Sequence, residues 1–137
     1  EFFLTKKNEV IFSELSPRPH DTGMVTLAHT TNLNEFELHL RAILGLSIPE
    51  ITLEHSGCSA VILSPKESRK PLEYNLDDAC NMERTRLRIF GKTTAHVGRR
   101  MGIALCYDSL DADILQLREK TKRAAATVLG TSPYMDK

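Results

Sequence analysis

The stretch from Glu14 to Gly23 restricts the fold of this chain more than any other, because two prolines lie within it. Proline fixes its own φ and biases the preceding residue toward extended backbone, so Pro17 and Pro19 predict a non-helical loop. The loop follows an apolar run, Val10–Phe12, that is typical of a β-strand. It carries acids, a guanidinium and an imidazole. A stiff loop holds such groups at low entropic cost, which favours a site for a polyanion and a metal over an ordinary solvated turn.

Composition narrows the class of protein. The chain has 137 residues, 41% of them apolar, which fits one domain or two small lobes of a soluble globular protein and excludes the disordered class. Basic and acidic residues balance at 18 each, so no net field recruits nucleic acid or a membrane, and a polyanion needs a local basic cluster. Three separated cysteines without a C-x-x-C pair predict reduced thiols in a cytoplasmic protein.

The first residues predict a β-hairpin. Residues 1–5 and 9–13 alternate or run apolar, and residues 6–8 form a polar connector of the kind that joins antiparallel strands. This pairing would bring Glu1 close to Glu14. Paired carboxylates can hold Mg²⁺ beside phosphate oxygens, while two unrelated exposed glutamates are the simpler interpretation from spacing alone. Because the chain opens inside a strand without methionine, we expect it to be a piece of a longer polypeptide.

Capping residues and apolar periodicity predict two helices. Asn34 and Glu37 form a capping box for the first, and Gly45 ends it in the left-handed region. Asp108 would cap the second, which would run to about Leu129. Each helix is expected to bury one apolar stripe, which consists of Phe36, Leu40, Ile43 and Leu44 in the first helix and of Leu110, Ile114, Leu117, Thr121 and Ala124 in the second. The second helix is expected to end at Gly130 and Pro133.

The second half of the chain predicts an antiparallel sheet with a basic end. Residues 60–63, 86–90 and 101–106 have the apolar or alternating patterns of strands. A hairpin between the last two would point Lys92, Arg99 and Arg100 from one end. Arginine matches phosphate bidentately and lysine adds a point charge, whereas a solvated basic hairpin is the alternative. The chain has no P-loop, no zinc-ligand spacing and no G-x-S-x-G nucleophile motif.

Together these segments resemble the formate-dependent phosphoribosylglycinamide formyltransferases of the ATP-grasp superfamily. The segments that carry the resemblance are FSELSPRPHDTGMVTL at 12–27, FELHLRAILGL at 36–46, SAVIL at 59–63, RIFGK at 88–92 and GRRMG at 98–102. They follow one another in the family's order and cover nearly the whole chain. The Arg-Pro-His-Asp-Thr-Gly block is the most specific part.

The resemblance implies an enzyme that forms formyl phosphate from formate and MgATP, then formylates the amine of glycinamide ribonucleotide in purine synthesis. It also implies a cytoplasmic homodimer. By position in the family pattern, Glu1 and Glu14 would be the Mg²⁺ carboxylates, and Asp21, Lys92, Arg99 and Arg100 would contact glycinamide ribonucleotide. From its place in the loop we add Arg18, as a catalytic cation that offsets charge on the transferring phosphoryl group.

We therefore expect an α+β fold. Residues 1–54 would be the C-terminal portion of an ATP-grasp domain, and residues 55–137 would be a small antiparallel β lobe closed by a long helix. The resemblance implies that most of the ATP site lies outside the chain. We therefore expect these 137 residues to be inactive alone.

Two alternatives remain open. The sister ATP-grasp enzyme that carboxylates aminoimidazole ribonucleotide shares the Arg-Pro-His loop, but its pattern has Asn-Ser-Gly-His where this chain has Asp21–Met24. An acidic Asp21 suits a free glycyl amine, which aminoimidazole lacks. The other alternative is a non-catalytic lobe that serves packing or dimerisation.

Overall fold

The computed structural model describes residues 1–131, which form the mixed α+β fold that the sequence predicts. Pro133, predicted to close the last helix, lies outside the described residues. Within the described residues, no helix is both long and apolar enough to cross a bilayer. The elements in chain order are β1 (Phe2–Leu4), β2 (Val10–Phe12), a 3-10 helix (Asp21–Ala28), α1 (Glu35–Leu44), β3 (Ser56–Leu63), α2 (Asp77–Cys80), β4 (Thr85–Ile89), β5 (Arg100–Asp108) and α3 (Ile114–Leu129).

The predicted hairpin forms from β1 and β2, which pair antiparallel with Phe2 opposite Phe12. Their two rings meet edge to face, with centroids 5.9 Å apart. Asn8 takes a φ of 62° in the connector, a left-handed conformation that asparagine tolerates better than most residues. Every residue of both strands is exposed. The hairpin therefore presents apolar side chains that no described element covers.

Helix α1 has the predicted ends, but its predicted buried face is wrong. The Asn34 side chain accepts the backbone N–H of Glu37 at 3.0 Å, and the Glu37 carboxylate accepts that of Asn34 at 2.9 Å. Gly45 ends the helix with a φ of 64°. The described elements leave the apolar stripe largely exposed: Phe36 is 40% exposed, Leu40 54%, Ile43 67% and Leu44 59%.

The main sheet is antiparallel with strand order β3-β5-β4, and its two faces pack against different helices. One face carries Ala104 and Cys106 of β5 and packs against α3 through Leu117. The opposite face carries Ile103 and Leu105, which pack against the 3-10 helix. The sheet thus lies between α3 and the segment that follows the proline loop.

A β-bulge in β5 determines which face Arg100 occupies. Ile62 pairs with Gly102 while the next residue, Leu63, pairs with Arg100, so Met101 is an extra residue in β5. One extra residue shifts the alternation of side chains by one position. Arg100 therefore lies on the face that the 3-10 helix covers, although strict alternation from Gly102 and Ala104 would assign it to the α3 face.

Helix α3 begins later than predicted, and the assignment of Asp108 as its cap is wrong. Strand β5 extends to Asp108, whose carboxylate pairs with the Arg84 guanidinium. Asp113 is the N-cap, and its Oδ1 accepts the backbone N–H of Leu115 at 2.8 Å. Each aspartate stands one or two residues before an apolar residue of the predicted stripe, so the local pattern alone does not distinguish them.

Most of the predicted α3 stripe is buried. Leu117, Thr121 and Ala124 lie in the core, but the prediction is wrong for two positions: Leu110 precedes the helix, and it and Ile114, the first helical residue, are exposed. Gly130 ends the helix at a φ of 62°, as predicted. The three C-terminal residues of the stripe, Leu117, Thr121 and Ala124, therefore hold α3 against the sheet.

Replacing Asp113 with alanine is expected to lower the free energy of unfolding by about 1 kcal/mol, because the first turn of α3 loses its acceptor. Asp113→Asn keeps a capping oxygen and is expected to retain most of that stability. Urea titration followed by circular dichroism measures both variants. Equal losses in the two would contradict the role of Asp113 as the cap.

Candidate functional site

The proline loop ends earlier than the sequence predicts, because the 3-10 helix already begins at Asp21. The prediction of a non-helical stretch up to Gly23 is therefore wrong for its last three residues. Proline restricts itself and the residue before it, and it leaves the residues after it free to turn. His20 caps the new helix, since its Nδ1 accepts the backbone N–H of Thr22 at 3.4 Å. Thus Asp21 is fixed at a helix start.

The hairpin and the loop bring the two predicted carboxylates together. The Ser13 backbone N–H donates to the Glu1 carbonyl at 3.0 Å, which aligns the strand ends. Ligand atoms of Glu1, Glu14 and His20 all lie within 4.8 Å of one another. The His20 Nε2 is 3.3 Å from the Glu14 Oε1. The two carboxylates supply the oxygen ligands that a hard divalent cation such as Mg²⁺ prefers, whereas imidazole nitrogen is typical of softer metals, so the fit to Mg²⁺ rests on Glu1 and Glu14.

A cleft of about 270 Å³ lies between the 3-10 helix and the sheet face on which Arg100 sits. The Asp21 carboxylate and the Arg100 guanidinium form an ion pair across it. Both side chains are partly exposed, so the pair remains open to solvent and to ligands. The lining residues are Asp21, Thr22, Met24, Ser59, Val61, Phe90, Arg100, Gly102 and Ile103. The cleft joins one acid and one guanidinium to an apolar wall.

The other predicted cations take different positions. The Lys92 Nζ lies 5.7 Å from the ring centroid of Phe90, a wall of the cleft. The Arg99 Nη1 instead donates to the Thr94 carbonyl at 2.8 Å and to its hydroxyl at 2.6 Å. The predicted hairpin end thus directs Arg100 into the cleft and Lys92 to its wall, while Arg99 binds the connecting loop.

Arg18 lies on the exposed side of the proline loop. Its Nη1 donates to the Pro19 carbonyl at 3.0 Å. Among the contacts described for residues 1–131, none links Arg18 to the carboxylates or to the cleft. Its predicted role therefore depends on groups beyond those contacts.

Two side chains outside this site, His29 and Cys58, have shifted pKa values. Desolvation lowers the pKa of His29, and the nearby Arg86 guanidinium adds to that effect. Partial burial raises the pKa of the Cys58 thiol, so this cysteine stays protonated. All three cysteines are free, as predicted.

Two residues of the site were not assigned a role from sequence. His20 joins the carboxylates, and its place six residues after Glu14 in a rigid loop was an available signal. Glu35 binds the loop through its Oε2, which accepts the His20 backbone N–H at 2.9 Å. An acid in the first turn of a helix is common, so this one gave no signal of its contact.

Two family models match the chain. The model described as "PurT, C-terminal" matches residues 57–128, which is more than half of the chain. The ATP-grasp domain model matches residues 1–36. The first match contains the sheet and nearly all of α3, and the second contains the hairpin, the proline loop and the 3-10 helix.

Curated relatives share most of this sequence. The chain is 60% identical over 129 residues to the formate-dependent phosphoribosylglycinamide formyltransferase of Bacteroides thetaiotaomicron, covering 93% of the chain and 33% of that protein. It is 59% identical over 129 residues to the protein of the same name from Bacteroides fragilis, with the same coverage. The chain thus spans about one third of the length of these relatives.

Solved structures share the fold. The N5-carboxyaminoimidazole ribonucleotide synthetase from Thermotoga maritima superposes with a TM-score of 0.80 at 30% identity, covering 93% of this chain and 34% of that one. At 93% coverage the match includes most of the described elements of this chain. The arrangement of the cleft beside the paired carboxylates therefore belongs to a fold found in other proteins.

Proposed function

Because this chain belongs to the PurT C-terminal family, we propose that it forms part of an ATP-dependent formyltransferase. The enzyme would make formyl phosphate from formate and MgATP, and would formylate glycinamide ribonucleotide in purine synthesis. The observation that carries the proposal is the cleft in which Asp21 faces Arg100, next to the carboxylates of Glu1 and Glu14. An acid for an amine and a guanidinium for a phosphate are the charges that this ribonucleotide requires.

Asp21 would orient the amine of the ribonucleotide. Its carboxylate accepts hydrogen bonds, so it holds an amine with the nitrogen lone pair directed at the formyl carbon. In the transfer a C–N bond forms, the C–O bond to phosphate breaks with its electron pair leaving on inorganic phosphate, and the nitrogen gives up one proton, which the departing phosphate can accept. A carboxylate at hydrogen-bond distance stabilises the positive charge that develops on this nitrogen.

Arg100 would bind the phosphate of the ribonucleotide, with Lys92 and Arg99 as further cations. Without ligand, Arg100 and Asp21 neutralise each other. A ligand with an amine at one end and a phosphate at the other replaces this pair with two new pairs. The exchange keeps every charge compensated, which limits the desolvation penalty of binding.

Replacing Arg100 with alanine is expected to raise the KM for glycinamide ribonucleotide about 10- to 100-fold, since a hydrogen bond to a charged group contributes about 1.5–3 kcal/mol. The KM for ATP should change little. Arg123→Ala removes an exposed guanidinium from α3, on the far side of the sheet, and serves as the control. An unchanged ribonucleotide KM in Arg100→Ala would contradict the assignment.

Glu1 and Glu14 would hold Mg²⁺, with His20 within reach of the same position. When bound, Mg²⁺ offsets charge on the transferring phosphoryl group. The contact between the Glu14 carboxylate and the His20 imidazole would help to orient this ligand. Arg18 would supply a second positive charge to the phosphoryl group from the exposed side of the loop.

The proposal also states which parts of the enzyme these 137 residues would supply; ATP and formate would be its other substrates. The chain spans one third of its relatives, so most of the ATP site would come from residues beyond these 137, and the 137 residues alone would not turn over. Residues 1–54 would close the ATP-grasp domain and residues 55–137 would form the small C-terminal lobe, a division that the two family matches support. The enzyme would be a cytoplasmic homodimer.

A second candidate is the carboxylation of aminoimidazole ribonucleotide, which the name of the Thermotoga maritima structure suggests. Sequence identity to the formyltransferases is twice as high, 60% against 30%, and favours the first candidate. Asp21 favours it too, because its carboxylate suits a glycyl amine.

The test uses the intact natural polypeptide that contains these residues. It is supplied with ATP and either glycinamide ribonucleotide plus formate or aminoimidazole ribonucleotide plus bicarbonate, and ADP release is measured. We expect release with the first pair. Release with the second pair alone would establish the carboxylase, and release with neither would favour a non-catalytic lobe.

A further inference from the structure

We propose that Glu35 is a positioning residue, which fixes the segment from His20 to Gly23 between the paired carboxylates and the cleft. We also propose that Gly23 is glycine because the Glu35 carboxylate occupies the space of a side chain there. The kinetic consequence rests on the proposed function, whereas the structural consequence does not.

Three hydrogen bonds tie the start of α1 to this segment. The Glu35 Oε2 accepts the His20 backbone N–H at 2.9 Å. The Glu35 backbone N–H donates to the Thr26 hydroxyl at 3.0 Å, and that hydroxyl donates to the Gly23 carbonyl at 2.7 Å. One residue of α1 therefore holds the beginning of the segment directly and its end through Thr26.

Gly23 leaves room for the Glu35 carboxylate, which a Cβ would displace, and its backbone conformation does not require glycine. A Cβ on Gly23 would overlap the Glu35 Oε2 and lie 2.7 Å from its Cδ, far closer than carbon atoms approach without bonding. The φ of Gly23 lies outside the left-handed region, so an alanine could adopt it without strain. The glycine and the carboxylate thus form a matched pair.

The second oxygen of Glu35 adds no stabilising contact to the described residues. Its Oε1 is buried and has no hydrogen-bond partner among the described residues. A buried polar atom without a partner destabilises a fold. Such groups in a folded protein call for an explanation other than stability, and the restraint of the His20–Gly23 segment supplies one.

The restrained segment connects the two halves of the candidate site. His20 contacts Glu14, and Asp21, the next residue, pairs with Arg100. Any movement of the intervening peptide changes the distance between the metal carboxylates and the ribonucleotide cleft. A displacement of about 1 Å in a reacting geometry lowers rates as much as 10²-fold. In the described contacts Glu35 binds only the backbone of this segment, so it acts through His20 and Asp21.

The decisive experiment is a double-mutant cycle in the intact natural polypeptide. We expect Glu35→Ala and Gly23→Ala each to raise the KM for glycinamide ribonucleotide about 10-fold, the loss of one charge-assisted hydrogen bond. In the double variant the alanine at position 23 no longer meets a carboxylate. The double variant should therefore match Glu35→Ala, and additive effects of the two changes would overturn the proposal.

Two further variants separate positioning from helix stability. Glu37→Ala removes a carboxylate from the same turn of α1, where it caps Asn34 and leaves the loop contacts intact. We expect an unchanged ribonucleotide KM in Glu37→Ala. Glu35→Gln keeps a neutral acceptor for the His20 N–H, so its KM should rise only about 3-fold. Equal KM values in Glu35→Ala and Glu37→Ala would overturn the proposal.

Amide hydrogen exchange gives a readout that needs no activity. We expect the His20 amide to exchange at least about 10-fold faster in Glu35→Ala than in the wild type or Glu37→Ala, because its acceptor is lost. Unchanged exchange would overturn the positioning role even in an active enzyme. If the wild type lacked formate-dependent turnover but the His20 amide still exchanged faster in Glu35→Ala, the proposed function would fail and the positioning role would stand.

Discussion

Replacing Glu14 with glutamine in the intact natural polypeptide is expected to lower formate-dependent ADP release by about two orders of magnitude or more. The proposed metal contributes several kcal/mol of charge stabilisation in the transition state, and each 1.4 kcal/mol corresponds to a factor of ten. Glutamine has nearly the same shape but no charge, and it cannot balance a divalent cation. The loss should therefore appear in kcat, with the structure of the loop retained.

A direct metal measurement separates this effect from a general loss of activity. Binding of Mn²⁺ as a substitute for Mg²⁺ is measured in the presence of a non-hydrolysable ATP analogue, and Glu14→Gln should weaken it. Glu9→Gln is the matched control, because Glu9 is an exposed acid of the same hairpin and lies at the other end of β2. Wild-type metal binding in Glu14→Gln would refute the metal role.

The features that sequence predicts best here are those set by neighbours along the chain. The capping box of Asn34 and Glu37 needs only four consecutive residues, and the pairing of Phe2 with Phe12 needs only one short connector. These contacts form under local rules, so the residue pattern is sufficient. Because the hairpin is also a local structure, its prediction was sufficient to place Glu1 close to Glu14.

The features that sequence did not predict depend on residues distant along the chain. The apolar stripe of α1 indicates which side of the helix is hydrophobic, but it does not indicate whether another element covers that side. Asp108 and Asp113 both resemble a helix cap, and the choice is made by β5, which extends through Asp108 to pair with β3. The Glu35 contact to His20 spans 15 residues and two elements. No local pattern encodes it.

The direction of Arg100 also depends on a non-local feature, the bulge at Met101. Simple alternation along β5 assigns Arg100 to the face that α3 covers. Only the pairing of Leu63 with Arg100 reveals the extra residue. The resemblance to a known family predicts a substrate-binding role for Arg100, and the bulge supplies the physical reason that its guanidinium reaches the cleft.

Gly102 makes this arrangement possible, and Gly102→Ala is expected to lower the free energy of unfolding by about 3 kcal/mol. A Cβ there would lie 2.6 Å from the carbonyl oxygen of Arg88 and 3.2 Å from the Cδ1 atoms of Ile62 and Ile89. The carbonyl belongs to the backbone of β4 and cannot rotate away, so β4 and β5 would have to separate. Separation next to the bulge would also misdirect Arg100 and raise the ribonucleotide KM.

Gly98→Ala is the control for Gly102→Ala. A Cβ on Gly98 meets no atom within 4 Å, and only its φ of 77° opposes alanine, so that variant should lose about 1 kcal/mol. Urea titration compares the two, and ribonucleotide KM values are measured on the same variants in the intact natural polypeptide. Equal stability losses in the two variants would show that close contact with β4 is not the reason that position 102 requires glycine. If Gly102→Ala lost the full expected stability of about 3 kcal/mol but kept the wild-type KM, the bulge would not be what orients Arg100. The ion pair with Asp21 would then be sufficient to orient it.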